Sequence, residues 1–405
     1  MLDKNAQVVI YTPALPRDHK ELIYYRQHNY TVVKRSDVLE AITNNSFNIC
    51  IAGTHGKTTI STMAGHILRH SGFGCNAFLG GISVNYNSNF WSSDKNVCVV
   101  EADEYDRSFL KLSPDIAIIS SMDPDHLDIY GTAENMEQAF IDFAARVKAG
   151  GFLIHKYGLK RNAELVADQF FTYHLYDKNA DVYAVNIKID NGSYRFDMVL
   201  NNANGPAWVL NDIVLNMGGD HNIENMMAAI TVAHHLGIDD DKIIKAAADF
   251  RGVKRRFEYI LKKDKLVFID DYAHHPEELR ALIKGAKSMF PDKKCIVIFQ
   301  PHLFSRTRDL ADEFAEVLQL ADDVILLPVY PARELPIEGV TSEMITDRMS
   351  SEDKIVMSKE NLLKHFLLEQ DAHVEEGYEG TVIITAGAGD IDTMVEPLKK
   401  LLNKE

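Results

Sequence analysis

The sequence predicts an α/β fold with a central P-loop ATPase-like parallel sheet domain, a C-terminal Rossmann-like domain and a partial N-terminal α/β unit. Three observations carry this reading. Short apolar strands alternate with helical stretches, the pattern of parallel sheets covered on both faces. The run Asn48-Ile49-Cys50-Ile51-Ala52-Gly53-Thr54-His55-Gly56-Lys57-Thr58-Thr59 passes from a strand through a glycine-bounded turn into a helix. After Phe250-Arg251-Gly252 the strand and helix order begins again, as in a second doubly wound domain.

Taken in order, residues 1–47 read as strand (Val8 to Thr12), helix (Arg17 to His28), strand (Tyr30 to Val33) and helix (Asp37 to Ile42). That is too little for a self-sufficient core, so this unit looks like the end of an α/β domain. Residues 48–250 carry strands at Val97 to Val100 and Asp115 to Ser120, and helices at Met136 to Val147 and Ile223 to Leu236. Between Asp181 and Leu215 the apolar period shortens to two around Asp190-Asn191-Gly192, which predicts an inserted hairpin or small antiparallel sheet. Residues 251–405 carry strands at Leu266 to Ile269, Cys295 to Phe299, Asp323 to Leu327 and Thr381 to Thr385. Helices at Pro276 to Met289 and Asp309 to Leu320 lie among them.

A chain of 405 residues is long enough for two or three such domains. Its formal charge of −16 argues against a nucleic-acid backbone as partner, so phosphates must be met by local cations or metal ions. The four cysteines, Cys50, Cys75, Cys98 and Cys295, are scattered, three of them in or beside apolar runs, as in a reduced cytoplasmic protein without a disulfide or zinc framework. No apolar run is long enough to span a bilayer, so membrane insertion is not expected.

The chemistry gathers at strand ends. Backbone N–H groups of the turn from Gly53 through Thr54, His55 and Gly56 point into one concavity, and the helix behind it adds positive potential. Lys57 and the hydroxyls of Thr58 and Thr59 complete a cradle for the phosphates and Mg²⁺ of a nucleoside triphosphate, although the loop is two residues shorter than the usual pattern. Glu101 ends a buried strand, where a carboxylate can hold Mg²⁺; Asp103, Glu104 and Asp106 behind it are singly compatible with a solvated turn. His126 follows the next strand and could ligate a second metal or simply start a helix. His221, Asn222 and Asn225 share a helix's first turn and suit either an adenine edge or a cap. Lys254-Arg255-Arg256 is a basic cluster at the expected junction of domains, where guanidinium groups can meet phosphate. Asp270-Asp271-Tyr272-Ala273-His274-His275-Pro276 and Phe299-Gln300-Pro301-His302-Leu303-Phe304-Ser305-Arg306 place polar groups at one edge of the second sheet.

Together, the Gly53 to Thr59 turn, Glu101-Ala102-Asp103-Glu104, Asp125-His126-Leu127-Asp128, His221-Asn222 with Asn225, Arg255-Arg256-Phe257-Glu258, Asp271-Tyr272-Ala273-His274-His275-Pro276 and Gly387-Ala388-Gly389-Asp390 resemble the muramyl ligase family. The match runs in order from Val8 to the C-terminus. The resemblance implies ATP-dependent amide formation between UDP-N-acetylmuramate and L-alanine through an acyl phosphate, in the cytoplasm, by a monomer or weak homodimer. It implies that Lys57 holds the β- and γ-phosphates, that Thr58 and Glu101 bind one Mg²⁺ and that His126 ligates a second metal. Asn225 would meet adenine and Arg256 phosphate, while Asp271 would serve the ATP ribose. Tyr272, His275, His302 and Arg306 would face the muramoyl and amino-acid substrates, with Arg306 counted beside Lys57 and His126 among catalytic groups.

Two departures from the family pattern stand out. Relatives carry a uridine-nucleotide-binding strand and glycine-rich turn before the position of Val8, and many carry arginine at the position of Leu303. The first makes a start codon assigned too late, or a truncated gene, the expectation. The second shifts work to Arg306 or Arg308. Three other readings stay open: a ligase that recycles a preformed murein tripeptide, a phosphate-loop kinase or ATPase, and a non-catalytic nucleotide-binding remnant.

Overall fold

The computed structural model describes residues 2–12, 15–16, 18–124, 127–202, 205–368 and 377–403. Three sheets organise them. The first is a parallel pair, β1 (Val8–Tyr11) and β2 (Thr31–Lys34), joined through α1 (Lys20–Gln27) and followed by α2 (Arg35–Thr43). Val8 and Ile10 remain about half exposed on it.

The second sheet has ten strands. It begins with β3 (Phe47–Ala52), α3 (Lys57–His70), β4 (Asn76–Ser83), β5 (Ser88–Trp91), β6 (Val97–Glu101) and β7 (Ile116–Ile119). Then come α4 (Leu127–Tyr130), α5 (Ala133–Ala144), β8 (Phe152–Lys156), β9 (Gln169–His174), β10 (Val182–Asp190), β11 (Ser193–Leu200) and β12 (Trp208–Leu215). The helices α6 (Asp220–His235) and α7 (Asp240–Asp249) close this segment. The spatial order is β12-β11-β10-β9-β8-β7-β3-β6-β4-β5.

The predicted antiparallel insertion is present, but it is no separate sheet. The strand β10 pairs in parallel with β9, so the hairpin β10–β11 and strand β12 extend the main sheet at one edge. The other edge, β4 and β5, escaped the sequence reading because Gly80-Gly81 interrupts its apolar pattern.

The third sheet has six strands, in the order β13-β14-β18-β15-β16-β17. Its elements are β13 (Glu258–Lys262), β14 (Leu266–Asp271), α8 (Pro276–Met289), β15 (Lys293–Phe299), α9 (Phe304–Asp309), α10 (Ala311–Leu318) and β16 (Asp323–Leu326). The chain continues through α11 (Glu343–Thr346), β17 (Lys354–Val356), α12 (Lys359–Leu368), β18 (Gly380–Ala386) and α13 (Val395–Leu402). The helix expected over Asp309 to Leu320 is α10, which starts two residues later and ends two earlier, and Leu310, whose backbone leaves the helical region, separates it from the short α9 that the sequence reading did not resolve.

Strand alternation builds the cores. In β3, Ile49 and Ile51 face the cluster packed by α3 and α6, whereas Cys50 and Ala52 face α5. In β14, Val267 and Ile269 join the side covered by α8 and α10, and Phe268 joins that covered by α12 and α13. All four cysteines are buried and unpaired with one another. Among the described residues no helix is long and apolar enough to cross a membrane.

Candidate active site

The turn from β3 into α3 is shaped by two glycines in left-handed or more open backbone, Gly53 at φ +134° and Gly56 at φ +82°. The close approach at Gly53 is to the end of β7: a Cβ there would stand 2.2 Å from Ser120 Oγ and 2.9 Å from the Ser121 backbone nitrogen. That neighbouring strand end holds the loop. Ser121 Oγ accepts from the His55 N–H at 2.7 Å, the Thr54 hydroxyl donates to the Asp123 carbonyl at 2.8 Å, and the Ser120 hydroxyl donates to the His55 carbonyl. The His55 ring itself is exposed, 3.7 Å from Asp123 Oδ2.

At the start of α3, Lys57 Nζ donates to the Gly53 carbonyl at 2.7 Å and to Glu104 Oε1 at 2.7 Å. Glu104 is 1% exposed, and burial raises its pKa against the opposing pull of Lys57. The acidic turn is therefore not uniformly solvated: Glu104 is the lysine's counter-ion, a role the local sequence does not reveal. Thr58 Oγ1 donates to Glu101 Oε1 at 2.9 Å, and Glu101 Oε2 accepts the Gly80 N–H at 2.7 Å. A Cβ at Gly80 would lie 2.4 Å from Glu101 Oε1, and one at Gly81 would lie 2.8 Å from Thr58 Cγ2. The glycine pair in β4 thus lets the Glu101 and Thr58 side chains meet. Thr59 is buried beside them.

A hydroxyl and a carboxylate in contact at the end of a phosphate-binding turn are hard oxygen donors, and Mg²⁺ is commonly held by one or two such groups together with substrate phosphates. The donor set of Thr58 and Glu101 fits that ion. His126 lies outside the described residues.

Asn225 reaches the same turn from α6. Its Nδ2 donates to Asn222 Oδ1 at 3.0 Å, and a Cβ on Gly56 would approach its Oδ1 to 2.8 Å. From the segment before β13, an Arg256 guanidinium nitrogen lies 3.4 Å from Thr58 Oγ1. Its neighbour Arg255 has a different task. The Arg255 guanidinium lies over the Tyr272 ring, donates to the Gly387 carbonyl and stands 3.4 Å from the buried Asp270 carboxylate.

The second group of predicted residues sits at the carboxyl ends of β14 and β15. Both Asp271 oxygens accept backbone N–H groups, from Phe257 and Ala273, each at 2.7 Å. His275 caps α8, its N–H bonded to Glu278, and Tyr272 is exposed. The His302 ring stacks on Tyr330 at 5.8 Å and lies 6.2 Å from His274. Among the described residues, His302 Nδ1 and a terminal Arg306 nitrogen are both buried without a hydrogen-bond partner. Burial, then the Arg306 charge, lowers the His302 pKa. Leu303 precedes α9 at φ +70°, a strained conformation for a branched side chain. Among the described residues no hydrogen bond or ion pair joins His302 or Arg306 to the Lys57 turn.

A cleft of about 150 Å³ opens from Glu101 toward the N-terminal unit, lined by Asp103, Tyr105 and Asp106 on one side and by Thr12, Arg35 and Ser36 on the other.

Comparison with known proteins finds relatives along most of the chain. Residues 51–233 match the model of the Mur ligase middle domain, and residues 255–389 that of the Mur ligase glutamate ligase domain. The chain is 44% identical over 399 residues to the UDP-N-acetylmuramate--L-alanine ligase of Flavobacterium johnsoniae, covering 98% of this chain and 84% of the relative. The solved UDP-N-acetylmuramate-alanine ligase of Thermotoga maritima superposes with a TM-score of 0.78 at 28% identity, over 97% of this chain and 84% of that one. A murein peptide ligase from Psychrobacter arcticus shares the fold, with a TM-score of 0.62 at 22% identity over 98% of this chain and 86% of that one.

Proposed function

Because the chain belongs to the Mur ligase family, we propose that it uses ATP to join L-alanine to UDP-N-acetylmuramate, a step of peptidoglycan precursor synthesis, through an acyl phosphate. The observation that carries this reading at the level of the site is the Thr58 hydroxyl held between Glu101 and Arg256 beside Lys57. Groups from the ten-stranded sheet and from the segment entering the six-stranded sheet meet at one point where a triphosphate would end.

The roles follow from charge. Lys57 and the turn from Gly53 to Gly56 receive the β- and γ-phosphates, Thr59 adds a second hydroxyl at the helix start, Asn225 faces the adenine side and Asp271 the ribose. When bound at Thr58 and Glu101, Mg²⁺ neutralises phosphate charge. The lactyl carboxylate of UDP-N-acetylmuramate attacks the γ-phosphorus, the bond to the bridging oxygen breaks, and ADP leaves. The amine of L-alanine then attacks the acyl carbon, phosphate departs, and the amine's proton passes to solvent or phosphate. Both steps build charge on oxygen, which Lys57 and Arg256 stabilise more in the transition state than in the ground state.

The cleft between Glu101 and Arg35 runs from the phosphate site toward the N-terminal unit, as a nucleotide sugar would. Its walls carry Glu101, Asp103 and Asp106, so Arg35 is the group that meets the sugar nucleotide's diphosphate. The buried, unbonded Arg306 nitrogen suits the carboxylate of L-alanine, with His302, Tyr272 and His275 at the rim. His126 remains the proposed second metal ligand. We place domain boundaries after residues 47 and 250, and read the protein as a cytoplasmic monomer or weak homodimer.

The test is phosphate release by the purified chain with ATP, Mg²⁺ and UDP-N-acetylmuramate, comparing L-alanine with a murein tripeptide. Release driven by L-alanine is expected. Response to the tripeptide alone would reassign the acceptor, and release independent of any carboxylate would make the protein an ATPase.

A further inference from the structure

Away from the Lys57 turn, the ten-stranded and six-stranded sheets meet a second time. The turn of hairpin β10–β11 points at the start of the six-stranded sheet. Tyr259 in β13 donates its hydroxyl to the Gly192 carbonyl at 2.8 Å, and Lys262 Nζ donates to Ser193 Oγ at 3.1 Å. Gly192 is at φ +69°, and a Cβ there would lie 2.3 Å from Phe290 Cζ and 3.1 Å from Tyr259 Oη. The hairpin tip therefore fits against Tyr259 and Phe290 only as glycine, both in backbone conformation and in space. Tyr259 and Phe290 meet edge to face at 6.2 Å, as do Tyr259 and Phe257 at 5.6 Å.

The tip is itself anchored to the larger sheet. Ser193 Oγ donates to Asn216 Oδ1 at 2.7 Å, and Asn216 Nδ2 donates to the Ala248 carbonyl at 2.7 Å. On the other side, β13 leads directly to the reacting groups. Arg256 lies three residues before Tyr259, Phe257 N–H donates to Asp271, and Tyr259 pairs with Ile269 in β14.

We propose that the hairpin tip at Gly192 is a latch and that Tyr259 is a positioning residue, which acts through β13 to hold the C-terminal sheet where the amine can reach the acyl phosphate. This rests on the ligase reading. The latch contributes no group to ATP; it sets the angle at which the second sheet faces the first. Loss of the latch leaves the phosphate cradle intact but lets the acyl phosphate meet water more often than the amine.

The test uses the full chain carrying Tyr259→Phe, which removes one donor without changing shape, and Gly192→Val, which obstructs the fit. Amide product and ADP are counted together, and backbone hydrogen exchange is followed. In both variants amide formation should fall by about tenfold, with KM for ATP within about twofold of wild type. ADP formed per amide should rise, and exchange should quicken at residues 190–193 and 258–262 but not at 53–60. An unchanged ratio of ADP to amide in folded variants overturns the proposal, as does a proportional fall of both products. Should the wild-type chain make no amide, the ligase reading fails, whereas unaltered exchange at 258–262 in the variants separately defeats the latch.

Discussion

Lys57 Nζ and Glu104 Oε1 form a 2.7 Å ion pair whose carboxylate partner is 1% exposed, so the cation of the phosphate cradle is held by a charge buried behind it. Removing one member of such a pair leaves the other charged group without compensation in a low-dielectric site. Lys57→Met is expected to lower stability by about 3–5 kcal/mol, and the double variant Lys57→Met with Glu104→Gln to recover most of it. Activity should fall by at least about a hundredfold in both. Denaturant unfolding and a ligase assay separate the two effects. A double variant as unstable as the single one would show that Glu104 does not depend on Lys57.

Glu101 spends both carboxylate oxygens, one on Thr58 and one on Gly80. Glu101→Gln keeps the shape but loses the charge that a hard cation needs. The Mg²⁺ concentration giving half-maximal activity should rise by about tenfold or more, with smaller change in the L-alanine dependence. A variant with wild-type Mg²⁺ dependence would remove Glu101 from the metal.

Gly53 is constrained twice, by φ +134° and by Ser120 at its back. Gly53→Ala should abolish nucleotide binding measured by calorimetry, and Ser120→Ala should not rescue it, because the Ser121 backbone nitrogen would still be 2.9 Å from the new Cβ. Rescue by the serine change would mean that the side-chain clash, not the backbone, decides the loop.

What was legible in the chain was local. The Gly53 to Thr59 turn, the Glu101 strand end and the span of α8 follow from neighbours within a few positions, and the structure has strand, turn and helix there. Contacts between distant segments were not legible. Glu104 is indistinguishable from a solvated acid until folding places Lys57, 47 positions earlier, against it. Gly80 and Gly81 weaken the apolar alternation of β4 for the same reason that they matter, since they make room for Glu101 and Thr58. The pair Arg255-Arg256 reads as one basic cluster, yet the two side chains turn opposite ways, Arg255 to Asp270 and Arg256 to Thr58. The fate of the hairpin β10–β11 was equally hidden, because its period of two says nothing about which strand it will join.

Arg35 lines the cleft beside Glu101 with acids opposite it. A charge-assisted contact to a diphosphate is worth about 1.5–3 kcal/mol, so Arg35→Ala should raise KM for UDP-N-acetylmuramate by about tenfold or more. The KM for ATP should stay near wild type. Equal increases in both constants would move Arg35 out of the sugar-nucleotide path.

Asp270 supplies the last prediction, a dependence of stability on pH. Its carboxylate is 2% exposed and accepts from the Thr385 hydroxyl at 2.6 Å. Burial nevertheless outweighs that bond and the Arg255 charge, and pushes its pKa up from 3.8 to about 7. Between those two values the folded chain keeps a proton that the unfolded chain has released, so this group's contribution is complete below about pH 4 and is lost as pH rises toward 7. His66 acts in the opposite sense. Buried in α3, its Nε2 donates to the Ala246 carbonyl and its Nδ1 accepts the Tyr86 hydroxyl, and burial lowers its pKa from 6.5 to about 4. It therefore adds stability as pH rises through that interval, and the wild-type profile should be flatter than either group alone would make it. Asp270→Asn removes one term and leaves the other. The melting temperature of the variant minus that of wild type should become more positive from pH 5 to pH 8, because asparagine never acquires the buried charge. A difference that is flat or declines with pH would mean that Arg255 holds Asp270 ionised throughout.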